Sequence, residues 1–456
     1  MKADARLLDD VAQRAGAYRR DAPGRRVTPT AEAVAELHQL RIAFPDSPLS
    51  PYDVVEWLDR VGSPATVTTT GGRFYGFVNG GALPAAVAAS WMVSAWDQNS
   101  ALRVMSPAAA AFEEVALDWV ADILGLPAGC GGALVTGATM ANFTGLAAAR
   151  HALLAQVGWD VERDGLLGAP PVTVVVGEEV HVSLLKALSL LGFGRERVRR
   201  VPVDGQGRML AAAFPRVDGP TLVCIQAGNV NTGAFDPAHE ICGRAREAGA
   251  WVHVDGAFGL WAAASPRYRH LTDGFDGADS WSTDGHKWPN AGYDCGIALV
   301  RDPRHLQSAM AASSSYFTPG SQREPSQFTP EMSRRARGVE LWAALRSLGR
   351  SGLASLIETT CGHAQRFARG LGDHGCEILN DVVINQVLVS FGSPALTQAV
   401  IERIQQDGTC WCGGTEWQGR AAMRISVSSW ATTDEDVELS LAAILRAVEA
   451  CLKARR

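Results

Sequence analysis

Between about residues 80 and 310, short apolar runs alternate with stretches of helical periodicity, and this alternation constrains the fold most. The apolar runs are Leu134-Val135, 172–176, 221–225, 251–254 and 296–300, with helical stretches at 141–156, 183–191 and 237–248 between most of them. Buried strands alternating with helices predict an α/β architecture with a large, mostly parallel sheet covered on both faces. Before it, residues 1 to about 60 read as partly amphipathic helices. Residues 313–337 are polar and carry Gly320 and three prolines, so they read as a long loop. Beyond Arg337, helices at 339–348 and 353–371, strands at 382–391 and 424–429 and a closing helix at 434–452 predict a small C-terminal α+β domain. The expected division is a helical N-terminal segment (1–75), a large domain (76–335) and a small domain (336–456).

Charge removes several classes of partner. The net charge of −6 gives no global basic field for nucleic acid or an anionic membrane. Two long uncharged stretches, 74–96 and 123–149, are rich in Ala and Gly and each contains a Pro and an Asn. They read as buried loops and helix starts rather than membrane spans. Nine scattered cysteines, with no Cys-x-x-Cys pair, point to reduced thiols in a cytoplasm and to no zinc site.

Lysine is scarce. The 42 basic residues include four lysines: Lys2, Lys186, Lys287 and Lys453. Arginine replaces lysine on most surfaces, but not where an amine must deprotonate and attack a carbonyl. Lys2 and Lys453 are terminal, and Lys186 lies within a helical stretch. Lys287 lies in Ser280-Trp-Ser-Thr-Asp-Gly-His-Lys-Trp288, just before an apolar run.

Three other segments carry potential chemistry. In Trp251-Val-His-Val-Asp255 a buried-looking strand ends in a carboxylate, where open α/β sheets bind ligands; a cap on the next turn explains it equally well. In Leu134-Val-Thr-Gly-Ala-Thr139 a strand enters a helix through a turn whose N–H groups can cradle phosphate, although such turns are often only structural. His181 follows a strand and opens a helix, where it can stack on a flat heterocycle or simply cap. Together, a phosphate cradle, a stacking imidazole, a carboxylate and an amine are what pyridoxal phosphate requires.

The chain resembles the group II pyridoxal-phosphate-dependent amino-acid decarboxylases, which include aromatic-L-amino-acid, glutamate and diaminobutyrate decarboxylases. The resemblance spans about residues 70–450. It rests on Arg73-Phe-Tyr-Gly-Phe-Val-Asn-Gly-Gly81, Ser106-Pro-Ala-Ala109 with Glu113-Glu114, and Thr136-Gly-Ala-Thr-Met-Ala-Asn142. It also rests on His181-Val-Ser-Leu-Leu-Lys-Ala187, His253-Val-Asp-Gly-Ala-Phe-Gly259 and Asp279-Ser-Trp-Ser-Thr-Asp-Gly-His-Lys-Trp288.

The resemblance implies a fold type I enzyme, similar to aspartate aminotransferase, that decarboxylates an L-amino acid through an external aldimine and a quinonoid. It implies that Lys287 forms the Schiff base, Asp255 pairs with the pyridine nitrogen, Ala257 packs on one ring face and His181 stacks on the other. Gly137, Ala138 and Thr139 bind the phosphate, with Asp284 and His286 beside it, and Asn231 and Thr232 line the cofactor. It further implies a homodimer with interface active sites, Phe77 and Asn79 in the substrate pocket, and Gln98 and Asn99 reaching in from the other subunit. No metal is implied.

Three departures stand out. Gly71-Gly72-Arg73 replaces the usual His-Pro, and Asp284-Gly285 replaces Asn-Pro or Asp-Ala before His-Lys. The mobile-loop position where animal aromatic decarboxylases carry a proton-donating Tyr falls near Pro325 by ungapped counting from Arg334-Arg335. The loop's own tyrosine is Tyr316, so Tyr316, His181 or a group from the other subunit remains as donor. Decarboxylation with oxidative deamination to an aldehyde, aldol cleavage and transamination are the alternative outcomes. An acidic substrate needs a pocket Arg, for which Arg73 and Arg103 are available; an aromatic or other uncharged amino acid is favoured.

Overall fold

A computed structural model describes residues 5–312 and 322–454. They group into two compact units, one of residues 80–364 and 380–386, the other of residues 1–79, 365–379 and 387–456. The N-terminal helices and the C-terminal residues thus fall in the same unit. The boundary lies within a long helix rather than ahead of it.

The larger unit realises the strand–helix alternation. Its seven strands are β1 (Gly131–Val135), β2 (Thr173–Gly177), β3 (Arg199–Val201), β4 (Thr221–Gln226), β5 (Trp251–Asp255), β6 (Ser280–Asp284) and β7 (Gly296–Val300). They form one sheet in the order β1-β7-β6-β5-β4-β2-β3. The steps from β6 through β5, β4 and β2 to β3 are parallel. β7 runs antiparallel to both β1 and β6, so β1 points the same way as β6. A sheet covered on both faces needs strands apolar throughout. Accordingly, every residue of β4, β5 and β7 is buried. One core joins Ala133, Val174 and Leu222 of the sheet to Leu146 and Leu153 of the helix Ala138–Gln156 and to Leu184 and Leu188 of the helix Val182–Leu190.

β6 departs from the sequence expectation. Its residues, Ser-Trp-Ser-Thr-Asp, lack an apolar run, yet all five are buried between β5 and β7. Burial of such a strand is made tolerable by partners for its two serine hydroxyls: Ser280 Oγ accepts from Trp251 Nε1 at 2.8 Å, and Ser282 Oγ donates to Asn142 Oδ1 at 2.5 Å. The helices expected at 339–348 and 353–371 run on as Arg337–Asp373, broken at Gly349, whose φ of 60° and ψ of −177° are non-helical.

The smaller unit contains a four-stranded sheet in the order β10-β11-β9-β8, from β8 (Glu377–Ile378), β9 (Gln386–Ser390), β10 (Gly413–Trp417) and β11 (Arg420–Ser426). Its closing helix, Asp434–Lys453, starts with a capping box between Thr433 and Asp436. Tyr75 is core here, 1% exposed, with its hydroxyl 3.1 Å from Ser440 Oγ and its ring edge-on to Phe367. Among the described residues no helix is long and apolar enough to cross a membrane.

Candidate active site

The expected site residues of the larger unit gather where β1, β2, β4, β5 and β6 all end on one edge of the sheet, the edge at which open α/β sheets bind ligands. Backbone contacts tie these ends together. Asp284 N–H donates to Ala257 O at 3.0 Å, Gly256 N–H to Ser282 O at 2.9 Å, and Ala227 N–H to Asp255 O at 2.9 Å. The Gln226 side chain adds to them: its Nε2 donates to Glu179 O at 2.9 Å, joining the last residue of β4 to the loop before His181.

After β1, Gly137 is the N-cap of the helix Ala138–Gln156 and offers no side chain to its first-turn N–H groups. A helix start without a side-chain cap is open to an anion. The turn is pinned from behind, since a Cβ on Gly296 would lie 2.4 Å from Gly137 Cα. A Cβ on Gly137 itself would lie 3.5 Å from His286 Cε1 and 3.7 Å from Asp284 Oδ1, so the segment bearing Lys287 faces this turn.

Lys287 Nζ lies 3.0 Å from Asp284 Oδ2, with the lysine side chain 18% exposed and the aspartate 2%. Lys186 and Lys453 are exposed, so Lys287 is the one shielded lysine among the described residues. The Phe258 ring centroid is 5.9 Å from Nζ. His286 stacks on Tyr293 at 4.3 Å, and its Nδ1–H donates to Cys295 O at 2.9 Å. Burial pushes the His286 pKa down, which keeps this imidazole neutral near pH 7.

Asp255 is 6% exposed at the end of β5. Its Oδ2 accepts from Asn142 Nδ2 at 3.2 Å, and its other oxygen takes no hydrogen bond among the described residues. A carboxylate at a strand end with one oxygen held and the other left open fits a cationic N–H, such as that of a protonated pyridine. With the shielded amine and the open helix start, the donor set fits pyridoxal phosphate.

The other expected residues are placed as follows. His181 caps the helix Val182–Leu190, its Nδ1 accepting from Ser183 N–H at 3.3 Å and lying 2.7 Å from Ser183 Oγ. Asn231 and Thr232 are buried in a tight loop, both N–H groups donating to Asn229 Oδ1. Asn99 is committed within its own chain, accepting from Arg334 N–H at 3.2 Å and donating to Ser333 Oγ at 3.2 Å. Gln98 Nε2 donates to Trp96 O at 2.9 Å. Phe77 and half-buried Asn79 belong to the smaller unit, where Phe77 is 65% exposed and its ring lies 5.2 Å from that of Trp411. Tyr316 lies outside the described residues. Pro325, where counting places the family tyrosine, is buried at the start of a short turn, Pro325–Phe328.

Asn142, His253, Ser280 and Ser282 were not anticipated. Their signal was legible, however: a histidine two residues before the aspartate on the same strand face, and an asparagine within the Ala-rich helix that follows the Gly137 turn.

The family model described as "Pyridoxal-dependent decarboxylase conserved domain" matches residues 35–392. The chain belongs to the pyridoxal-dependent decarboxylase family. This decarboxylase is a pyridoxal-phosphate-dependent enzyme acting on an amino acid. It is 29% identical to tryptophan decarboxylase 1 of Oryza sativa subsp. japonica, over 85% of this chain and 82% of that one. It is 27% identical to 4-hydroxyphenylacetaldehyde synthase of Rhodiola rosea, over 73% and 72%. Its fold is similar to that of Oryza sativa TDC, crystallised with PLP and tryptamine, with a TM-score of 0.89, 24% identity, and 98% and 97% of the two chains covered. The decarboxylase therefore has the expected type I fold.

Proposed function

We propose that this decarboxylase acts on an aromatic or other uncharged L-amino acid. The observation that carries this reading is the commitment of both candidate arginines. Arg73 donates to Pro23 O at 2.7 Å and Arg25 O at 3.2 Å and lies 3.8 Å from Asp436 Oδ1. Arg103 is paired with Glu114 Oε2 at 2.6 Å. Both guanidinium groups are thus already engaged by oxygen acceptors of the chain itself.

In this reading Lys287 holds the cofactor's carbonyl carbon and Asp255 holds a proton at the pyridine nitrogen. The N–H groups of Ala138 and Thr139 hold the phosphate, with the neutral His286 ring beside it. His181 and Ala257 confine the ring from opposite faces. Bound pyridoxal phosphate supplies a conjugated ring that accepts the electron pair left by the departing carboxylate. The buried ends of β5 and β6 exclude water around Asp255 and Asp284.

We also propose a homodimer. Leu40, Ile42, Phe44, Leu49 and Leu58 in the N-terminal segment are all more than half exposed, Phe44 at 95%, and they require a covering surface. The scattered cysteines support a cytoplasmic enzyme. Measuring mass in solution by light scattering tests the dimer; a monomer at micromolar concentration refutes it.

A panel of aromatic, acidic and diamino acids, assayed for carbon dioxide and amine, tests the substrate class. Higher kcat/KM for an aromatic substrate is expected, and preference for glutamate or diaminobutyrate overturns the assignment. The buried proline at the counted tyrosine position favours a second outcome, decarboxylation with oxidative deamination. Aldehyde and peroxide in place of amine would establish it, and amine without peroxide excludes it.

A further inference from the structure

A chain of hydrogen bonds runs behind Asp255, and its polarity is set from one end. Trp251, His253 and Asp255 alternate along β5 and so share a face; Ser280 and Ser282 of β6 are register partners of His253 and Asp255. An indole nitrogen only donates, so Trp251 Nε1–H, at 2.8 Å, makes Ser280 Oγ an acceptor and leaves the hydroxyl proton free. That proton is given to His253 Nδ1 at 2.8 Å. Full burial lowers the His253 pKa to about 3, so the ring carries one proton, which must lie on Nε2. Nε2–H donates to Asn142 Oδ1 at 2.8 Å, which also accepts from Ser282. With its oxygen held from two sides, the Asn142 amide can present only its Nδ2–H group to Asp255 Oδ2.

The helix makes room for this arrangement. Gly145, one turn beyond Asn142, faces the imidazole: a Cβ there would lie 2.9 Å from His253 Cε1.

We propose that Asn142 is a positioning residue for Asp255, and that Trp251, Ser280 and His253 act as a relay that keeps a donor aimed at Oδ2. Oδ1 is thereby left to face the cofactor's pyridine nitrogen. The proposal rests on the reading that Asp255 pairs with that nitrogen. A charge-assisted hydrogen bond on one oxygen fixes the carboxylate rotamer and holds it anionic, both of which the pairing requires.

The test compares His253→Leu, which fills the space without donating, with His253→Gln, whose amide nitrogen can replace Nε2–H. Far-UV circular dichroism establishes folding. The readouts are the dissociation constant for pyridoxal phosphate and the visible absorption band of the bound cofactor at one fixed pH. His253→Leu is expected to weaken cofactor binding about tenfold and alter the band, and His253→Gln to stay within about threefold. Equal behaviour of the two variants, whether both intact or both impaired, overturns the relay. If His253→Leu does not fold, Ser280→Ala reads the same chain by removing one hydroxyl, and an unchanged band and affinity then overturn it. Asp255→Asn separates the two levels: if it leaves binding and band intact, the Asp255 reading itself fails, whereas impairment there with an intact His253→Leu condemns the relay alone.

Discussion

Lys287 Nζ and Asp284 Oδ2 lie 3.0 Å apart across one turn of chain, with the carboxylate almost fully buried. Truncating the lysine strands that carboxylate beside the neutral His286 ring. In the cofactor-free protein, Lys287→Ala is expected to cost about 1–3 kcal/mol of stability, and Asp284→Asn in the same chain to restore most of it. Urea unfolding of the single and double variants measures the coupling.

With cofactor, Lys287→Ala is expected to abolish turnover and the adduct trapped by borohydride reduction, as read by intact mass. Neither Lys186 nor Lys453 can take its place, because both are exposed. An adduct persisting in the variant would refute the assignment of the amine.

Gly80→Ala should damage the site without touching a side chain of it. A Cβ at residue 80 would lie 2.1 Å from His286 O and 2.2 Å from Lys287 O, both backbone atoms that cannot swing aside. The Lys287 segment must shift, at a cost of about 1–3 kcal/mol. A loss of at least about tenfold in kcat/KM is expected, because misplacement of roughly 1 Å is costly to catalysis. Thermal melts with steady-state kinetics check both.

His253 gives stability an acid limb. Burial lowers its pKa from 6.5 to about 3, so the unfolded chain binds a proton that the native protein refuses. The stabilisation is fully present above about pH 6.5 and is lost as pH falls towards 3. His253→Gln removes the titration. Its urea midpoint is therefore expected to fall less steeply than that of the unmodified protein between pH 6.5 and 4.5.

Strands β4, β5 and β7 and the helices beside them were readable because burial on both faces demands continuous apolar runs, and solvent on one side imposes helical periodicity. β6 was not readable, since its serines and threonine look like a loop until Trp251 and Asn142 are seen to satisfy two of its hydroxyls. The break at Gly349 was legible, since the helical pattern was expected to stop at 348 and resume at 353; the structure adds the non-helical φ of that glycine. Of the site, Lys287, Asp255 and the Gly137 turn were visible because their chemistry restricts residue type: an amine, a carboxylate at a strand end and a side chain that does not fill the cradle.

By itself, then, the sequence determined the architecture, the cofactor class and the shielded amine, through periodicity and residue types that nothing else can replace. Only the tertiary structure decided what each group is doing with its hydrogen bonds. Arg73 and Arg103 are spent on local partners, Asn99 is tied to its own chain, and Asn142, 113 residues from Asp255 along the chain, holds one of its oxygens. Hydrogen bonding is directional and short-ranged, so which donor meets which acceptor depends on distances that a linear order of residues does not contain.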